Sequence, residues 1–269
     1  MRAARRVRDD ARVTVVFVHA HPDDEAIFTG GTVARLSAAG VSVVLVVATG
    51  GELGALHPAY HGAIDDAGLA GVRRRECEAA ARILGIGRVE FLGYHDSGMA
   101  GDAANAAPGA FCGAVLDDAT VRLAETLTRV GATAIVGYDD DGIYGHPDHI
   151  QVTRLARAAA AAAGVPTVYG ATVDREYLHF VETHLVEEAA LTGDLGLVRS
   201  RIGVATVDIT TTIDVRSWLP TKRAAMAAHA SQIPESTSAL QLPEGHFADV
   251  YGWEWYLRTG PPAMLDDLG

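Results

Sequence analysis

The chain has 269 residues, with 22 basic and 34 acidic side chains and a formal charge of −12. That balance excludes the basic footprint of a general nucleic-acid binder. A composition of 49% hydrophobic and 21% charged residues is globular rather than disordered, and two cysteines, Cys77 and Cys112, make no disulfide framework.

The elements follow in chain order. Residues 1–12 are Arg-rich and read as a disordered tail. The apolar run behind them, Val13 to Val18, is shorter than the roughly 7–15 residues of a secretory leader or the about 20 of a membrane span. A cytoplasmic protein with no membrane span is expected. The β-branched run over 13–19 predicts a strand buried on both faces. Ile27, Val33 and Leu36 predict a helix over 25–39, stopped by Gly40. Strands are predicted over 41–48, 89–92, 133–138 and 167–172. Helices are predicted over 71–84, 119–130 and 148–163. Beyond 174 the pattern loosens: 174–190 and 217–230 look helical, 204–213 looks like strand, and the end looks irregular.

This alternation predicts an α/β fold: a Rossmann-like parallel sheet in the order 3-2-1-4-5, flanked by helices. A smaller C-terminal extension of mixed strand and helix follows. The expected organisation is one domain over 13–269, with a core of 13–173 and a C-terminal part of 174–269. Two long loops, 49–70 and 96–113, follow strand C-termini, where open α/β sheets place their ligands.

Two motifs carry chemistry. His19-Ala20-His21-Pro22-Asp23-Asp24-Glu25 follows the first strand, and Tyr144-Gly145-His146-Pro147-Asp148-His149 follows the fourth. In the order 3-2-1-4-5 these strands are neighbours, so the clusters meet across one crevice. Imidazole with carboxylate and no thiolate suits Zn²⁺, Fe²⁺ or a similar divalent ion. His21 and Asp24 can face one point across the turn, and His149 can supply a third ligand. Each residue alone has a plainer explanation: Asp24 or Glu25 suits a helix N-terminus. Gly30-Gly31 reads as close packing rather than a nucleotide loop, and the run Asp139-Asp140-Asp141-Gly142 as an acidic rim.

The string Val18-His19-Ala20-His21-Pro22-Asp23-Asp24-Glu25, paired with His146-Pro147-Asp148-His149, resembles the LmbE/PIG-L family of metal-dependent N-deacetylases. The resemblance covers 13–165 well and the rest more weakly. Tyr144 to His149 and Asp96-Ser97-Gly98-Met99 resemble the mycothiol-pathway deacetylases. Val72-Arg73-Arg74-Arg75-Glu76 is more similar to the mycothiol S-conjugate amidases. The resemblance implies that His21, Asp24 and His149 hold Zn²⁺, with Fe²⁺ or another divalent ion as the alternative. It implies Asp23 as general base, His146 as the imidazole that stabilises the oxyanion, and Asp148 as the orienting partner of His146. Glu52, Arg73, Asp96 and Tyr144 match substrate-contacting positions. Arg73 could instead pair with Glu76, and Asp96 could cap a turn. The implied substrate is a small-molecule amide of an amino sugar, with release of acetate or another acyl acid. Alternatives are an amidase of a thiol conjugate, an iron oxygenase built on His21, Asp23 and His149, and a non-catalytic metal- or sugar-binding homologue. A homo-oligomer is left open.

Overall fold

In a computed structural model, which describes residues 13–56, 60, 64, 68–184 and 202–269, the first strand β1 (Thr14–His19) is buried at all six positions. The expected tail lies outside the described residues. Next come α1 (Asp24–Phe28), α2 (Gly30–Ala38) and β2 (Ser42–Thr49). The single helix expected over 25–39 is therefore two, broken at Thr29. The apolar spacing runs across the break and hides it. A Cβ on Gly31 would lie 2.4 Å from Cβ of Val215. Gly30-Gly31 is thus a packing feature, as expected.

The chain continues through α3 (Gly68–Leu84), β3 (Arg88–Tyr94), α4 (Leu116–Val130), β4 (Ala134–Tyr138), the short α5 (Gly142–Gly145), α6 (Pro147–Ala163) and β5 (Thr167–Thr172). These five strands are parallel, in the order 3-2-1-4-5. β1 pairs with β2 on one side and β4 on the other, so the sheet order reverses there. Both motifs leave the sheet at that point. Their helices pack over strands whose Val and Leu side chains are almost fully buried. Each such side chain contributes about 1.5–3 kcal/mol.

The C-terminal part holds α7 (Arg175–His184), β6 (Thr211–Asp214), α8 (Leu219–Ala228), α9 (Ser238–Gln241), α10 (Glu244–Tyr251) and β7 (Trp253–Thr259). Two expectations need correction, and a third runs beyond the described residues. The end is not irregular: β7 pairs antiparallel with β5 and with β6, extending the sheet to 3-2-1-4-5-7-6. The strand over 204–213 shrinks to β6, because Thr206–Asp208 forms a 3-10 turn. The helix over 174–190 is described only as far as His184. Cys77 and Cys112 are free thiols. Among the described residues, no helix is long and apolar enough to cross a membrane.

The only lysine is internal. Lys222 of α8 and Glu254 of β7 are 1% and 2% exposed and pair at 2.7 Å. Glu254 also accepts from the Gly31 and Thr32 N–H groups at 2.8 Å each, capping α2. One carboxylate thus joins α2, α8 and β7. Lys222→Met is expected to leave that charge buried and to cost about 3 kcal/mol. A thermal melt should fall by roughly 6–12 °C; an unchanged melt would show that the pair contributes nothing.

Candidate active site

The first motif is a strained turn held from three sides. Asp23 has φ of 117°, a left-handed conformation rare outside glycine. Such strain costs about 1–3 kcal/mol and persists only where neighbours over-determine it. Here they do. The Asp23 N–H donates to Glu25 Oε2 at 3.0 Å, and Glu25 Oε1 meets His229 Nε2 at 2.6 Å. Arg73 reaches across from α3. It donates to the Pro22 and Gly51 carbonyls at 2.5 Å each, and lies 3.1 Å from Asp23 Oδ2. Arg73 does not pair with Glu76, which accepts instead from the N–H and hydroxyl of Ser231. His229 was invisible in the sequence. No motif surrounds it, and only the packing of α8 against α1 and α3 brings it in.

The proposed ligand atoms converge. Asp24 Oδ2 lies 3.5 Å from His21 Nδ1 and 3.4 Å from His149 Nε2. A tetrahedral ion with bonds of about 2.1 Å has donor–donor edges of about 3.4 Å, and these two separations match two of the three edges between the expected donors. The same oxygen accepts from the Tyr138 hydroxyl at 2.8 Å and the His21 N–H at 2.9 Å, which fixes the carboxylate. Among the described residues, the groups whose donor atoms all lie within 4.8 Å of one another are His21, His146 and His149, and His21, Asp96, His146 and Asp148; Asp24 is in neither, and His146 stands with the expected ligands His21 and His149. The electrostatics agree. Burial opposes charge on His21, yet Asp148, Asp24 and Asp96 raise its pKa well above the usual value. The site therefore draws positive charge. His149 is pushed down to about 3, chiefly by burial, which keeps its imidazole neutral.

Asp148 departs from its expected role. Its carboxylate faces His21, with Oδ2 3.2 Å from Nε2, and accepts from the Ser97 hydroxyl and from the Ser97 N–H at 2.9 Å. Its hydrogen bond to His146 comes from the backbone: the Asp148 N–H donates to His146 Nδ1 at 3.2 Å. That contact arises because His146 is the N-cap of α6, with Pro147 pre-set for the first turn. It leaves the proton of a neutral His146 on Nε2. A carboxylate placed in this way against an imidazole would orient it if it held a metal ion.

Burial, with Asp24 adding to it and Arg73 opposing, pushes the Asp23 carboxyl up to about 6. That suits a proton carrier near neutral pH. His21, Asp23, Asp24, Arg73, Asp96, Tyr144 and His146 all line one cavity of about 510 Å³. His149 and Asp148 lie fully buried behind them. Asp96 accepts from the Gly98 N–H at 2.9 Å and sits 3.6 Å from His21. The Tyr144 hydroxyl is 3.3 Å from His149 Nε2. α5 comes this close because Gly142, at φ +62°, has no Cβ, which would fall 2.6 Å from that of His149. Glu52 is outside this lining; it binds His95 at 2.9 Å and the Asp96 N–H at 3.2 Å.

Residues 16–160 match the PIG-L family, described as GlcNAc-PI de-N-acetylase. A relative from Thermobispora bispora, a 1D-myo-inositol 2-acetamido-2-deoxy-alpha-D-glucopyranoside deacetylase, is 37% identical over 92% of this chain and 89% of its own length. Among solved structures, N,N'-diacetylchitobiose deacetylase from Pyrococcus horikoshii is similar with a TM-score of 0.56 at 23% identity, covering 93% of this chain and 85% of that one. The 4-carboxy-2-hydroxymuconate hydratase from Pseudomonas putida is similar with a TM-score of 0.60 at 21% identity, covering 94% and 98%. One fold thus carries different reactions, and the side chains of the site must decide between them. The family match spans more than half of the chain and contains both motifs, so the chain belongs to the PIG-L family.

Proposed function

We propose that this protein is a metal-dependent N-deacetylase that removes the acetyl group of a 2-acetamido sugar. The observation that carries this is Asp23, a carboxyl of raised pKa in the cavity that it shares with His21, Asp24 and His146, where Asp24 Oδ2 lies within 3.5 Å of both His21 and His149. The Thermobispora bispora relative, named for the same reaction on an inositol-linked sugar, supports the deacetylase reading over the thiol-conjugate amidase. His21, Asp24 and His149 hold the ion, with zinc the first choice for this donor set and Fe²⁺ the second. A divalent ion held there supplies Lewis acidity, which polarises the amide carbonyl and lowers the pKa of water.

The side chains do the rest. Arg73 engages Asp23 Oδ2, which leaves Oδ1 to take the proton as water adds to the acetamide carbon. His146 donates from Nε2 to the oxygen on which charge develops. Asp23 then returns the proton to the sugar nitrogen as the C–N bond breaks. The products are acetate and a free amino sugar. Asp96 and Tyr144 border the substrate, and Arg73 holds the turn that presents Asp23.

The test is a deacylation screen with zinc- and iron-loaded protein on N-acetylglucosaminides, the inositol-linked one included. Release of free amine is expected; no release with either metal would overturn the reading. Asp148 gives a separate prediction. Asp148→Asn should weaken metal binding by about 10–100-fold, read by competition with a chelator. At saturating metal, kcat should largely return. An unchanged metal affinity would remove Asp148 from its place behind His21.

A further inference from the structure

The cavity has a second wall of different character. We propose that this wall is a subsite for an apolar substituent of the substrate, carried either on the acyl group or on the aglycone of the sugar; it rests on the amide-hydrolase reading above. Phe28 of α1, Tyr177 and Leu178 of α7, Val250 of α10, and Trp253 and Trp255 of β7 line it. The wall is continuous. The Tyr177 and Trp255 rings are 5.4 Å apart, and the Tyr177 hydroxyl donates to the Asp249 carbonyl at 2.9 Å, so α7, α10 and β7 are tied together.

The division follows from topology. The polar groups come from the loops and helix starts after parallel strands, and most of the apolar ones from the antiparallel extension and its helices. Phe28 joins the two regions: its ring is 6.1 Å from His149 and 6.5 Å from Tyr144. The apolar wall therefore begins beside the ligand cluster. Lys222 and Glu254 also reach the cavity, but they neutralise each other at 2.7 Å. At the rim, Leu53 and Met99 line the same cavity and remain 52% and 43% exposed. An apolar rim leading into a pocket with a few convergent polar groups is the form of a ligand site.

The physical argument concerns what can cover this wall. A sugar hydroxyl against Leu178 or Val250 loses its water and gains no partner. A methylene in the same place gains up to about fourfold in affinity. A polar sugar alone would fill the His–Asp side and, among the described residues, leave the other wall uncovered. Aromatic side chains can also act as a platform for the sugar ring. That role is blind to chain length, which separates the two ideas.

The experiment uses the zinc-loaded protein and two substrate series. One lengthens the acyl group of N-acylglucosamine from acetyl to hexanoyl. The other lengthens the glycoside of N-acetylglucosamine from methyl to hexyl. In one series kcat/KM is expected to rise at least tenfold, and that series identifies which end enters the wall. Leu178→Asn and Val250→Asn, each checked for folding, should cut the gain to less than threefold. The same compounds titrated into chelator-treated protein give Kd ratios that need no turnover. Rates and Kd values independent of chain length in both series would overturn the subsite, as would a gain untouched by both variants. If no amide is cleaved but Kd tightens with chain length, the subsite stands and the hydrolase reading fails.

Discussion

Asp23→Asn is expected to lower kcat by about 10²–10⁴-fold while metal content and folding stay intact. The substitution is nearly isosteric. Asn also tolerates positive φ better than most residues, so the turn at φ 117° survives. Two of its restraints do not involve the altered side chain: the bond from the Asp23 N–H to Glu25, and the bonds from Arg73 to the Pro22 and Gly51 carbonyls. What is lost is the carboxylate oxygen that, on the proposed mechanism, carries a proton between water and the departing nitrogen. An amine leaves slowly without that proton, so the loss should appear in kcat more than in KM. Elemental analysis should still find the ion, because Asp24 rather than Asp23 approaches both imidazoles. A variant with turnover within tenfold of the parent would remove Asp23 as the base.

The sequence made the meeting of the two motifs legible. Strands buried on both faces read as unbroken β-branched runs, and their order placed β1 beside β4. What stayed hidden depended on contacts distant in sequence. β7 was missed because Glu254 interrupts its apolar pattern, and that residue faces inward only to cap α2 and pair with Lys222. The break at Thr29 was missed because the apolar period continues across it. The family resemblance implies Asp148 as the orienting partner of His146, and nothing local in the sequence says otherwise. The Asp148 carboxylate turns to His21 because Ser97, on the loop after β3, holds it there. Glu52 is drawn aside by His95, a residue with no motif around it. Local pattern therefore located the site, whereas the partner of each carboxylate depended on tertiary packing.

If His149 holds the proposed ion, His149→Gln is expected to remove the metal and, with it, at least about 10³-fold of the activity, since a bound divalent ion is what would lower the pKa of water from 15.7 toward about 7. Gln is chosen over Ala for a structural reason. His149 is fully buried, and its ring stacks on Tyr138 with centroids 4.3 Å apart and planes 12° from parallel. Ala would leave a cavity there, and the loss of stability would obscure the loss of metal. Gln keeps a polar group in the space but offers no imidazole nitrogen at 3.4 Å from Asp24 Oδ2. The remaining pair, His21 and Asp24, has too few ligands for a tight zinc site. His146 is close enough to test this, because one of its ring nitrogens lies within 4.8 Å of one on His21 and one on His149. If His146 were the true third ligand, His149→Gln would keep its metal and His146→Gln would lose it. Metal content measured on both variants therefore decides which imidazole holds the ion and which remains free to stabilise the developing charge on the substrate.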